Sequence, residues 1–76
     1  MDTGKIIGGN IRRLRVAEGL SQEKLALEAG IDRSYVGRIE RETENVTVSA
    51  LETLALVLDV PVAELFNGFD DSASWP

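Results

Sequence analysis

The stretch SQEKLALEAGIDRSYVGRIERE, residues 21 to 42, places a short helix-like segment on each side of Gly30. Ser21 carries a hydroxyl that can accept a bond from an amide of the first helical turn. It suits the cap of a helix with Leu25, Ala26 and Ala29 inside, and Gly30 suits the flexible turn that closes it. Asp32 repeats the capping signal for a second segment. There Val36 and Ile39 face inward, while Arg33, Ser34, Gly37, Arg38 and Arg41 are left largely outside. The spacing predicts two short helices with one turn of chain between them, the second rich in arginine.

Working outward, Ile7, Ile11, Leu14 and Ala17 recur at steps of four and three, a helical stripe that Gly19 is placed to end. Beyond the polar run Glu42 to Asn45, Thr47 can cap a fourth helix in which Leu51, Leu54, Ala55 and Leu58 share a face. Pro61 suits the start of a fifth, short helix through Val62, Leu65 and Phe66. The remainder, NGFDDSASWP, is polar and acidic and is expected to fray. Alternation of period two is missing throughout, so the expected fold class is all-α: five helices in one compact domain over residues 5–67, followed by an acidic tail over 68–76.

Composition narrows the function classes. Seventy-six residues, 43% of them hydrophobic, suffice for one small core. The chain has neither cysteine nor histidine, which removes disulfides, thiolate zinc sites and imidazole bases. No metal, cofactor or small-molecule ligand is expected. Glu40, Glu42 and Glu44 are the nearest thing to a carboxylate cluster, but no nucleophile accompanies them, so the reading is not an enzyme. No run approaches the roughly 20 apolar residues of a membrane span and no export signal opens the chain, so no membrane partner and a cytoplasmic location are expected. Net charge is −5, unevenly spread: residues 1–41 hold all eight basic residues and six acidic ones, a balance of +2, and the rest hold seven acidic residues and no basic one. Only the amino half is suited to face an anionic partner.

A short helix, a tight turn and a second short helix form a helix-turn-helix, whose second helix can enter the major groove of double-stranded DNA with its amino-terminal side chains at base edges. Those side chains are Arg33, Ser34, Tyr35 and, one turn on, Arg38. Arg33, at the entrance, is placed to bond guanine O6 and N7 together, a contact worth roughly 1–3 kcal/mol of discrimination. For Tyr35, phosphate contact, thymine-methyl contact and plain packing stay open. Gly37 costs a helix about 1 kcal/mol relative to alanine, and either close approach of DNA or simple tolerance accounts for it. Lys24 and Arg12, with Arg13 and Arg41, are secondary phosphate candidates or ordinary solvated charges.

The elements I..LR...GLSQEKLA..AGI, then S.V.RIER, then L..LA..LDVPVAELF, in this order over residues 7 to 66, resemble the Cro and phage-repressor type of helix-turn-helix domain. Within that class, DRSYVGRIERETENVTVSALETLALVL is most similar to the small controller proteins of restriction-modification systems. The resemblance implies a homodimeric transcription regulator, repressor or activator, often acting on its own operon. Gln22 matches a glutamine that bonds a DNA phosphate, Asn45 a loop asparagine that touches the backbone, and Arg15 and Glu40 a salt bridge linking the first helix to the third. The loop ETEN departs from the family, where basic residues are common, and Glu42 and Glu44 would weaken attraction to phosphates.

The acidic carboxy-terminal half holds Val57, Val60, Val62, Leu65, Phe66 and Phe69, more apolar surface than one thin layer of helices covers. A two-fold interface through helices four and five is therefore expected. It would set two recognition helices about 34 Å apart on a palindromic site. The competing reading is an antitoxin-like protein-interaction module whose acidic half caps a basic partner.

Overall fold

The computed structural model describes residues 3–41 and 46–68. It folds them into α1 (Thr3–Ala17), α2 (Gln22–Ala29), α3 (Arg33–Glu40), α4 (Val48–Leu58) and a 3-10 helix (Val62–Phe66), with no strand among the described residues. Three helices begin on side-chain caps. Ser21 Oγ accepts from the Lys24 amide at 3.0 Å, Asp32 Oδ1 from the Ser34 amide at 2.9 Å and Thr47 Oγ1 from the Ala50 amide at 3.1 Å. Each satisfies an amide that the helix itself leaves without a partner.

Three helices also end alike. Gly19, Gly30 and Asp59 take φ of 73°, 70° and 59°. The amide after each returns to a carbonyl five residues back: Leu20 to Arg15, Ile31 to Ala26 and Val60 to Ala55, each at 3.0 Å. This left-handed closure reverses the chain within two residues and lets short helices pack on one another.

The core is formed by Ile7 and Ile11 of α1, Leu25 and Ala26 of α2, Val36 and Ile39 of α3, Leu51, Leu54, Ala55 and Leu58 of α4, and Leu65. Ala17, expected on the α1 stripe, is exposed. At about 100° per residue, two successive steps of three carry it about 120° behind Ile11 and off the buried face. Helix α3 packs on both α1 and α2. Its contact with α1 is close enough that a Cβ on Gly8 would collide with the Ile39 carbonyl oxygen.

The fifth element is a 3-10 helix, not a turn of α-helix. It has five residues between Pro61 and Asn67, and the chain then departs through Gly68 at φ 115°. So short a segment gains little from i→i+4 bonding. Asn10 of α1 fastens it, its Nδ2 donating to the carbonyls of Leu65 at 3.0 Å and Asn67 at 2.6 Å. Leu65 is 0% exposed, enclosed with α1 and α4, and so belongs to the protomer's own core; the expectation that it lines a subunit interface is corrected.

Candidate nucleic-acid interface

With Val36 and Ile39 in the core, the opposite face of α3 is turned to solvent. Its amino terminus is shaped by Asp32. The Asp32 carboxylate accepts from both the backbone amide and the hydroxyl of Ser34, at 2.9 and 3.0 Å. The backbone bond first, then the hydroxyl bond, hold its carboxyl below the ordinary aspartate range; Arg38 adds to this and slight desolvation opposes it. One turn on, Arg38 Nη1 lies 3.4 Å from Ser34 Oγ, and its guanidinium sits 5.8 Å from the centre of the Tyr35 ring. Tyr35 is itself half-buried against the core, so Arg38 is steadied by a hydroxyl and a ring face.

Gln22, Asp32, Arg33, Ser34, Gly37, Arg38 and Arg41 line one shallow, open hollow. Arg33, Ser34 and Arg41 are exposed there, and Arg38 is half-buried. Gly37, read from the sequence as lying outside, is buried. A Cβ at this position would stand 3.4 Å from Arg41 Nη1 and 3.8 Å from Gln22 Oε1, so those two side chains cover it. Gln22 Nε2 donates to Glu40 Oε1 at 3.0 Å. Glu40 also receives Arg15, Nε to Oε2 at 2.7 Å and Nη2 to Oε1 at 3.1 Å, across the α1–α3 junction.

The remaining candidates lie apart from this hollow. Lys24 Nζ is 3.6 Å from Glu28 Oε2 one turn along α2. Arg12 borders a separate depression on α1 with Gly9, Arg13 and Val16, and Arg13 Nη2 donates to Asn10 Oδ1 at 3.3 Å. Asn45, with Glu42 and Glu44, lies outside the described residues, as do Phe69 and the acidic tail. In the sequence Asp32 reads only as a cap, and Asn10 and Gly8 carry no signal of their roles. Asp32 was within reach, since a cap next to Arg33 must share its surroundings. Gly8, and Asn10 through its bonds to the Leu65 and Asn67 carbonyls, act on segments distant in sequence.

On α4 and in the turn after it, Val57 and Val60 are half-buried against the core, and Val62 and Phe66 of the 3-10 helix are each 36% exposed. Leu56, absent from the expected interface, is 80% exposed. It lines an apolar depression with Ala55, Val60, Pro61 and Val62, edged by Glu52 and Asp59.

A family model described as Helix-turn-helix matches residues 11–65, spanning the second half of α1, all of α2, the turn, α3 and α4, and most of the 3-10 helix. The chain belongs to the helix-turn-helix family. This helix-turn-helix protein is 43% identical over 67 residues to the control protein C.SmaI of Serratia marcescens, covering 88% of the chain and 80% of the relative. Among solved structures it resembles the restriction-modification controller protein C.AhdI from Aeromonas hydrophila, with 48% identity and a TM-score of 0.81 over 83% of the chain and 96% of the controller. It also resembles SinR, described as the master regulator for biofilm formation and solved in complex with DNA. That match has 39% identity and a TM-score of 0.77, covering 80% of the chain and 98% of SinR. Among the described residues of the helix-turn-helix protein, no helix is long and apolar enough to cross a membrane.

Proposed function

We propose that this helix-turn-helix protein is a sequence-specific DNA-binding transcriptional regulator of the controller type. It acts as a homodimer on a palindromic operator. The observation that carries the reading is the convergence of Gln22, Arg33, Ser34, Arg38 and Arg41 on one open hollow along the exposed face of α3. Arg33 and Arg38 read base edges in the major groove, Ser34 and Tyr35 line the approach, and Gln22 bonds a backbone phosphate. Lys24, Arg12 and Asn45 supply outer phosphate contacts. Glu52 and Asp59, at the rim of the α4 surface, keep that side away from DNA and leave it to the second subunit. Restriction-modification control is the assignment that similarity to C.SmaI and C.AhdI supports.

Selection of binding sites from random duplex DNA at about 0.15 M salt, with Arg33→Ala run in parallel, tests the reading. An inverted repeat with half-sites about one helical turn apart is expected, with loss of preference at one guanine in the variant. Failure of a folded sample to enrich any sequence would refute it.

A further inference from the structure

Gln22 stands at the first position of α2 and at the edge of the arginine-lined hollow, and its amide is bonded to protein. Nε2 donates to Glu40 Oε1 at 3.0 Å. The same carboxylate holds Arg15 through two bonds, while Arg15 Nη1 donates to the Leu20 carbonyl at 2.7 Å. The Glu40 side chain is only 4% exposed. One carboxylate thus ties the last turn of α1, the first residue of α2 and the end of α3.

The chemistry of this hub fixes which way the Gln22 amide faces. A carboxylate accepts and does not donate, so only the NH2 end of the amide is compatible with it. The flipped amide would set its oxygen against a carboxylate largely removed from water, where repulsion is poorly screened. With one N–H on Glu40, Oε1 lies over Gly37 beside Arg41, and the second N–H of Nε2 is left for an acceptor. The first amides of α2 and the positive end of its dipole surround this position, so an anionic oxygen is the acceptor it favours.

From the Gln22–Glu40 juxtaposition we infer that Glu40 is a positioning residue for DNA binding, holding the Gln22 amide so that its second N–H meets a backbone phosphate. Arg15 acts through it, anchoring the carboxylate from α1. This rests on the DNA-binding reading above. A purely structural salt bridge would stabilise the fold equally whether or not Gln22 were present, and would leave the Gln22 contact with DNA unchanged when removed.

The test measures affinity for the selected duplex at fixed salt for four proteins: the natural chain, Gln22→Ala, Arg15→Met with Glu40→Met, and all three changes together. Replacing both members of the ion pair by apolar side chains of similar size is the change best suited to keep the fold. Gln22→Ala is expected to weaken binding about tenfold in the natural background and less than about twofold in the double-methionine background. In the 15N spectrum of the DNA-free protein, the Gln22 side-chain amide signals are expected to move toward those of exposed glutamines in the same background. Equal losses in both backgrounds, or amide signals that do not move, would overturn the inference. If Gln22→Ala binds normally while Arg33→Ala loses its guanine preference, the positioning role falls and the regulator stands. If the natural chain selects no sequence, both fall. Should the double-methionine protein not fold, Glu40→Gln replaces it. That amide keeps the shape but offers Gln22 either an oxygen or an NH2, so a partial shrinkage of the Gln22→Ala effect is expected and its absence counts against the inference.

Discussion

Gly8 and Gly37 both lie inside helices, where glycine costs about 1 kcal/mol relative to alanine, but their surroundings assign them opposite behaviour. A methyl at Gly8 meets the Ile39 carbonyl, which is backbone and cannot swing aside. Gly8→Ala is expected to force α1 and α3 apart and lower the unfolding free energy by about 1–3 kcal/mol, read from urea denaturation. A methyl at Gly37 meets only the ends of Arg41 and Gln22 at ordinary contact distance. Gly37→Ala should raise stability by up to about 1 kcal/mol and yet weaken duplex binding, because the methyl fills the gap between two groups that face DNA. Urea midpoints and titration with labelled duplex separate the two effects. Asp32 supplies a pH prediction. Its folded pKa is depressed, so its contribution is present above the ordinary aspartate value of about 4 and is lost as pH falls through the lower folded value. Asp32→Asn keeps a capping oxygen and does not titrate; its urea midpoint should fall less than that of the natural chain between about pH 5 and pH 2. The cap at Asp32 was legible because capping is local. The collision at Gly8 was not, because it depends on Ile39, thirty-one positions away.

At the scale of elements, boundaries set by nearby residues were readable. Ser21, Asp32 and Thr47 each offer an acceptor oxygen to the first turn of their own helix, and Gly19 and Gly30 provide the left-handed residue that ends one. What the residues alone left hidden was decided by packing. The last segment reads as a helix by its apolar spacing, but Asn10 draws two carbonyls, those of Leu65 and Asn67, onto α1 and the chain settles into a 3-10 turn. Leu65 obeys the same logic: spacing placed it with Val62 and Phe66, and the turn swings it inward. The end of α4 carries the clearest local conflict, since Asp59 occupies a left-handed conformation that glycine adopts without strain. Asp59→Gly is expected to raise thermal stability by about 0.5–1 kcal/mol, the relief of strain exceeding the entropy that glycine adds to the unfolded chain. A lowered melting temperature would mean that the Asp59 carboxylate makes a compensating interaction at that closure.

The molecule as a whole separates two surfaces that its sequence already separated by charge. All eight basic residues lie in the first forty-one positions, and the α3 hollow gathers three of the arginines, whereas α4 and the 3-10 helix carry only acidic charge. Arginine near acidic flanks remains effective because charges more than about 8 Å apart are largely screened at physiological salt. The acidic side keeps exposed apolar side chains: Leu56 and Val62 line one depression, and Phe66 is a further one on the 3-10 helix. Leu65 is unsuited to probing it, since truncating a wholly buried leucine costs about 2–5 kcal/mol and confounds assembly with unfolding. Leu56 gives a clean test: at 80% exposure it contributes little to the protomer's core, and Leu56→Lys should leave the melting temperature of the isolated protomer nearly unchanged. In a homodimer the substitution acts twice across the two-fold axis, placing two ammonium groups in an apolar interface, where each is costly to desolvate. Sedimentation equilibrium is expected to give a dimer for the natural chain and a monomer for the variant. Binding to the inverted repeat should then lose its dependence on the second half-site, because each monomer meets one half-site alone. A variant that stays dimeric would move the two-fold axis away from α4, and with it the spacing of about 34 Å expected between recognition helices.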